Sequence, residues 1–264
     1  MDDKQKAAWD KHYEPLIADF KSKNLQGEEL AQWKYNQYMR DYLSSIQSVD
    51  DGVGKLLDYL EENNLDENTI VVYTSDQGFY LGELGWFDKR FMYEQSFRTP
   101  LLMKYPKEIK PGTTIDDLVQ NLDFASTFMN FAGIDIPSDI QGESFRKLLN
   151  NTDTTWRDFA YYTFYEYPGE HNVNRHYGIT TKRYKLIHFY YDEDNWEFYD
   201  LKEDPQEINN VYNHKDYQDI RTMMHQKLDD VREKYGDSDA LNQKFLQKSL
   251  EAIKARKNKK RQAH

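Results

Sequence analysis

The chain has 264 residues, with 35 Lys and Arg against 46 Asp and Glu, a formal net charge of −11 that argues against a generic nucleic-acid or anionic-membrane surface. It contains no cysteine, which excludes disulfides, thiolate metal sites, iron–sulfur clusters and cysteine nucleophiles from this chain. Aromatic residues make up 15% of it, enough bulky core material to exclude wholesale disorder. No run approaches the ~18 consecutive apolar residues of a membrane-spanning helix, and the opening MDDKQKAAWDKHYEP has neither a basic n-region nor an apolar h-region.

From Tyr35 the apolar positions Tyr38, Met39, Tyr42, Leu43, Ile46, Val49, Val53, Leu56, Leu57 and Leu60 recur in steps of three and four, predicting a long amphipathic helix that ends near Glu61–Asn64. The β-branched and aromatic run Ile70–Thr74 lacks polar alternation and reads as a strand covered on both faces. Pro100–Pro106 reads as a second short strand, bracketed by prolines. Asp123 can cap a helix through Phe124, Phe128, Met129 and Phe131, with Gly133 placed to end it.

After Asn150 the character changes. Phe159–Tyr165, Tyr184–Tyr190 and Trp196–Leu201 are short aromatic runs separated by turn-rich segments, as in an antiparallel sheet. A final helix carries Ile220, Met223, Met224, Leu228, Val231 and Tyr235 on one side and stops at Gly236; the basic run Lys254–Arg261 beyond it reads as a solvated tail. The polar stretch Asn150–Thr155 is the expected boundary, giving domains 1–150 and 151–264. The fold class expected is α/β: part of a mostly parallel sheet layered with helices, then a small antiparallel sheet with a packed terminal helix.

Chemistry is expected where Ile70–Thr74 runs into Ser75-Asp76-Gln77-Gly78. Ligands of open α/β sheets sit at the carboxyl ends of strands, and a carboxylate beside an amide offers two oxygens to a hard cation. Asp76 and Gln77 are the candidate metal ligands. The same tetrapeptide also reads as a simple turn, with Asp76 accepting backbone N–H groups and Gly78 at positive φ. Lys89, in the loop-like Gly82–Glu94, could grip a sulfate or phosphate oxygen beside a cation, or be an ordinary solvated charge.

The whole run SDQGFYLGELGWFDKRFMYEQSFRTPLLMKYP resembles the corresponding stretch of the sulfatase family, where a strand ending in Asp plus Asn, His or Gln is followed by a Gly-rich loop, a Lys, Tyr-Glu and Arg-x-Pro-Leu. The flanking SVDDGVGKLLDYLEENNLDENTIVVYTSD and NLDFASTFMNFAGIDIP, and the later RHYGITTKRYKLIHFY and WEFYDLKEDPQEINNVY, are similar to the same family. The resemblance implies a sulfuric-ester hydrolase in which Asp76 and Gln77 are two ligands of a calcium ion and Lys89 contacts the sulfate and its ester oxygen. It implies a sulfated glycan as substrate, 6-sulfated N-acetylglucosamine foremost, with His171, Arg175 and His176 of HNVNRH as further substrate-binding candidates.

The family also has two further Asp ligands and a Cys/Ser-x-Pro/Ala-x-Arg motif converted to formylglycine; no equivalent precedes Trp33 here, and Leu84 stands where many relatives have His in Gly-Glu-His-Gly. The chain therefore looks like the carboxy-terminal portion of a sulfatase. Its calcium site is expected to be half present, its partner to be an amino-terminal half, and the isolated chain to be inactive. The resemblance implies a periplasmic or secreted location. Two alternatives stay open: a non-catalytic carbohydrate-binding module, and a phosphate-ester enzyme of the wider alkaline-phosphatase-like superfamily, which would call for more His and Asp ligands.

Overall fold

A computed structural model describes residues 1–150, 155–169 and 171–262. They form two compact units, Met1–Asp66 and Glu67–His264. The first holds α1 (Asp3–Lys23) and α2 (Gly27–Glu62). Helix α1 opens on a capping box: Gln5 N–H donates to the Asp2 carboxylate at 2.8 Å and Asp2 N–H to Gln5 Oε1 at 3.0 Å. Phe20 and Trp33 pack at 4.6 Å between centroids and tie the two helices together. The predicted periodic helix is α2, but its apolar stripe is open: Leu43, Ile46, Val49 and Leu56 are 55%, 45%, 51% and 67% exposed.

The second unit begins with β1 (Val71–Thr74), followed by the short helix α3 (Glu94–Phe97) and β2 (Leu101–Lys104). Strands β1 and β2 pair antiparallel with Val71 opposite Lys104 and Thr74 opposite Leu101. No parallel pairing occurs among the described residues, which corrects that part of the expected fold class. The predicted burial of β1 on both faces is also not met, since Tyr73 is 40% exposed and Leu102, opposite it, 65%. Helix α4 (Asp123–Ala132) ends at Gly133, whose φ of 68° is the left-handed turn anticipated for it. Asp123 is its first residue and caps nothing in the usual manner. Fully buried, Asp123 instead accepts Gln120 N–H, Glu143 N–H and both terminal nitrogens of Arg157. Helix α5 (Arg146–Leu149) closes a small core of Phe145, Leu148 and Leu149 under β2 and α4.

Strands β3 (Ala160–Phe164), β4 (His176–Thr180), β5 (Tyr184–Phe189) and β6 (Asn195–Asp200) make one antiparallel sheet in chain order. Side chains alternate between its faces. Tyr177, Ile179, Leu186 and Phe198 meet Met224, Leu228 and Val231 of α6 (Gln218–Lys234). On the other face Ile187, Phe189 and Tyr199 receive Met92, with Phe91, Tyr93 and Phe97 around it. Gly178 permits that approach, because a Cβ there would lie 2.4 Å from the Leu186 carbonyl and 2.7 Å from Met92 Sδ. The final helix α7 (Asp239–Gln262) carries the basic run predicted as a tail. Thus the mixed helix-and-sheet class, the small antiparallel sheet and the packed helix are all present. The compact units divide at Asp66, well before the boundary expected near Asn150; residues 151–154 of that polar stretch lie outside the described residues. No helix among the described residues is long and apolar enough to cross a membrane.

Candidate active site

The chain leaving β1 is pinned on both flanks. Ser75 Oγ donates to the Gln77 carbonyl at 2.9 Å, and Gly78 N–H donates to the buried Ser96 carbonyl of α3 at 3.0 Å. Gly78 is needed for close approach and not for a positive φ: a Cβ would sit 2.3 to 2.8 Å from the carbonyls of Gln95, Ser96 and Arg98. Asn121 Nδ2, just before α4, donates to the Asp76 carbonyl at 2.7 Å.

These anchors fix what the two candidate ligands present. Gln77 Nε2 donates to the Ser96 carbonyl at 2.6 Å and its hydroxyl at 3.2 Å, so the amide is held by its nitrogen and Oε1 remains an acceptor. The Asp76 side chain is exposed and accepts no backbone N–H among the described residues, unlike the turn reading. A carboxylate and an oriented amide oxygen suit a hard cation in kind, but calcium takes about six to eight oxygens. No group of three or more His, Cys, Asp or Glu poised for a metal occurs among the described residues. These residues thus fit part of a calcium site.

The segment after Gly78 doubles back on itself, with Tyr80 N–H on the Asp88 carbonyl and Gly82 N–H on the Trp86 carbonyl, both at 2.9 Å. At its tip Leu84 has φ 54°, a left-handed conformation that a branched apolar side chain seldom takes and that His adopts more readily. The returning limb carries Lys89, exposed, its ammonium without a protein partner among the described residues. Its backbone is fixed: Lys89 N–H donates to the Asp88 carboxylate at 2.6 Å, and Tyr162 OH of β3 to the Arg90 carbonyl at 2.7 Å.

Of the HNVNRH candidates, only His171 joins this loop. Arg90 pairs with Asp88 and brings Nη2 to 2.6 Å from His171 Nε2, with Glu166 3.9 Å from its Nε. A guanidinium only donates, so His171 accepts through Nε2 and carries its proton on Nδ1. Arg175 and His176 correct the expectation that they meet a sugar from a turn. Both are fully buried. Arg175 reaches the Tyr167 carbonyl, the Asn242 carbonyl at 3.5 Å and Ser249 Oγ at 3.3 Å, holding α7. His176 lies on β4 among the rings of Phe91, Tyr162, Phe164 and Phe189, at 5.1 to 5.7 Å, and burial pushes its pKa down to about 4.

Sequence reasoning assigned no role to Asp88, Arg90, Asn121 or Glu166, although Asp88 and Arg90 flank Lys89 among aromatics. It also missed the brace behind the loop. Lys185 of β5, fully buried, pairs with Glu94 at 2.8 Å and Glu207 at 2.6 Å, and Glu207 accepts Glu94 N–H at the start of α3. Burial raises the Glu207 pKa against the opposing pull of Lys185. The signal available was the Tyr93-Glu94 pair of the quoted motif; its buried partners are distant in sequence.

Two family profiles match the chain, one described as N-sulphoglucosamine sulphohydrolase, C-terminal, over residues 82–234, and one as Sulfatase over residues 4–134. The chain belongs to the sulfatase family. It is 52% identical over 234 residues to the N-acetylglucosamine-6-O-sulfatase of Bacteroides thetaiotaomicron, covering 88% of this chain and 42% of that protein. It is 30% identical to the arylsulfatase of Clostridium perfringens, covering 81% and 44% respectively. A solved structure, that of BT4656 in complex with its substrate D-glucosamine-2-N,6-O-disulfate, superposes with a TM-score of 0.85 at 50% identity, covering 90% of this chain and 49% of that one. The chain therefore spans about two-fifths of the length of these curated relatives.

Proposed function

We infer that this chain supplies the cation-holding and sulfate-gripping side of a sulfuric-ester hydrolase acting on sulfated glycans, 6-O-sulfated N-acetylglucosamine in particular. The observation that carries the reading is the Gln77 amide, pinned through Nε2 to Ser96 so that Oε1 stays an open acceptor, next in sequence to the exposed Asp76 at the end of β1. Asp76 and Gln77 would hold a calcium ion, which when bound supplies positive charge against the sulfate oxygens. Lys89 grips the sulfate and stabilises charge developing on the ester oxygen as the alcohol leaves. Beside it, Asp88, Arg90 and His171 form a polar wall with both donors and acceptors, suited to sugar hydroxyls. The chain has no cysteine, so no cysteine-derived nucleophile comes from it, and the partner that completes the site is an amino-terminal sulfatase half. The relatives named for 6-O-sulfated glucosamine support the substrate, and a periplasmic or secreted location goes with this reading.

The test is calorimetric titration of the chain, in millimolar calcium, with N-acetylglucosamine 6-sulfate, alongside a sulfate-release assay. Weak, calcium-dependent binding that Lys89→Ala abolishes, with no turnover, is the expected result. Sustained sulfate release by the pure chain would overturn the division of the site. Equal binding by Lys89→Ala would remove the lysine's role, and sugar binding indifferent to calcium and sulfate would favour the non-catalytic carbohydrate-binding reading.

A further inference from the structure

Away from Asp76, Gln77 and Lys89, a cavity of about 330 Å³ opens where β3 faces α7. That volume is at the small end of ligand pockets, which run from about 300 to 1,000 Å³. Tyr161 and Thr163 of β3, an edge strand of the sheet, and Tyr165 just beyond its end line the cavity at alternate positions. Opposite stand Tyr235 after α6 and Phe245 of α7. The rings form two near-parallel pairs, Tyr165 with Phe245 at 4.6 Å and Tyr161 with Tyr235 at 6.2 Å, each inclined by 16°.

The polar complement is specific. Asn242 of α7 lines the cavity at 4% exposure, and its Nδ2 has no hydrogen-bond partner among the described residues. That nitrogen is sealed within the protein, so the polar groups that face a ligand are the side-chain amides of Gln120 and Gln141, which also line the cavity. The one carboxylate of the lining, Asp237, already accepts from Tyr161 OH and pairs with Arg232 at 3.3 Å, so its charge is met within the protein. No Lys, Arg or His lines the cavity among the described residues. Aromatic rings, the amides of Gln120 and Gln141 and no cation suit a ligand with apolar C–H faces, hydroxyl groups and no charge. That is the chemistry of a neutral pyranose, whereas a sulfated or uronate sugar would enter without a counter-charge.

We propose that the cavity between β3 and α7 is a second carbohydrate subsite, holding an uncharged sugar unit of a glycan against Tyr161, Tyr165, Tyr235 and Phe245 with its hydroxyl groups on Gln120 and Gln141. The inference rests on the glycan reading above. It adds a subsite that takes no part in sulfate recognition. Leu122 lines the cavity next to Asn121, the residue that holds the Asp76 carbonyl, so the two places share one stretch of chain.

The test uses the whole chain with the neutral disaccharide N,N′-diacetylchitobiose, followed by calorimetry and by saturation-transfer NMR. Millimolar binding is expected, unchanged by added calcium and by Lys89→Ala, and weakened about tenfold by Tyr165→Ala or Phe245→Ala. Tyr165 is 44% exposed, so its truncation leaves the fold intact, which a thermal melt verifies. No chitobiose binding at millimolar concentration, or binding that both ring variants leave unaltered, would overturn the subsite. Binding of hexanol in place of the disaccharide would assign the cavity to an apolar ligand and overturn it equally. Failure of the glycan reading is a separate result: it appears as loss of the Lys89-dependent binding of the 6-sulfated sugar.

Discussion

Replacing Lys185 by Met tests whether α3 and the loop before it are braced from inside the antiparallel sheet. Met matches the lysine stem but removes the ammonium from between Glu94 and Glu207. The Glu207 side chain is fully buried, so it is left as a buried carboxylate whose remaining partner is Glu94 N–H. Breaking a buried pair by deleting one member costs about 3–5 kcal/mol, against about 1 kcal/mol or less for an exposed pair. For a unit the size of Glu67–His264, at roughly 2–4 °C per kcal/mol, the melting temperature should fall by roughly 6–20 °C. The loss should depend on pH. Burial already raises the Glu207 pKa, and removing the lysine raises it further. The carboxyl is then protonated and harmless in acid, and the full penalty is present only above its folded pKa, so the gap between variant and parent should widen from pH 5 to pH 8. Adding Glu207→Gln should recover most of the lost stability by making the buried group neutral. The assay is differential scanning calorimetry of parent, single and double variants at both pH values. A single variant within about 2 °C of the parent, or a gap equal at the two pH values, would refute the brace.

Arg157→Met should lower stability by about 3 kcal/mol, the lower end for a buried pair, because Asp123 keeps two backbone donors; urea unfolding measures it, and Asp123→Asn added to it should restore part of the loss. Gly178→Ala should cost about 1–3 kcal/mol and speed hydrogen exchange in β4, since the added methyl meets a carbonyl at 2.4 Å; unchanged protection would mean that the sheet yields there. The His176 ring resonances should stay those of the neutral form from pH 7 down to near pH 4. Because the unfolded chain takes up that proton near pH 6.5 and the folded chain only near 4, His176 should remove about 3 kcal/mol of stability as pH falls through that window, and His176→Phe should flatten the loss.

Much of the architecture was legible because local pattern and tertiary environment agree. The three-and-four spacing of Tyr38 to Leu60 marks α2, the runs Phe159–Tyr165 and Tyr184–Tyr190 contain β3 and β5, and Trp196–Leu201 takes in all but the first residue of β6. Strand β4 falls in one of the segments that read as turn-rich, with the polar types Arg175 and His176 around its start. Their burial depends on a cage of four rings and on α7, none of which is local in sequence. Helix α1 had a readable start, Asp2 with Gln5 three residues on, but lacks a continuous apolar stripe. The boundary near Asn150 was drawn from composition, and composition does not see what crosses it. Trp156 Nε1 donates to the Leu118 carbonyl, Arg157 grips Asp123 and Lys185 grips Glu94. At the site, Asp76, Gln77 and Lys89 could be picked out because adjacent residue types carry the chemistry. The wall beside them could not, because Arg90 and His171 meet only through the folding of β3 against the loop.

The two kinds of residue at the candidate site differ in how they are held, and the difference follows from what each must do. Asp76 is held at its backbone carbonyl by Asn121, and Gln77 at its carbonyl by Ser75 and at its amide nitrogen by Ser96. Ser96 in turn lies in α3, whose first residue, Glu94, is tied to buried Lys185. The Gln77 amide thus inherits its position from a charge in the middle of the sheet, through one short helix. Lys89 is fixed only along its backbone, while its long side chain keeps its rotamers. An ammonium is a compact charge with rotatable donors, so it can follow a sulfate oxygen as the ester bond lengthens, where a rigid fork could not. Under the proposed function, stiffness is therefore concentrated where geometry would select a metal, and freedom is left where charge would move during reaction.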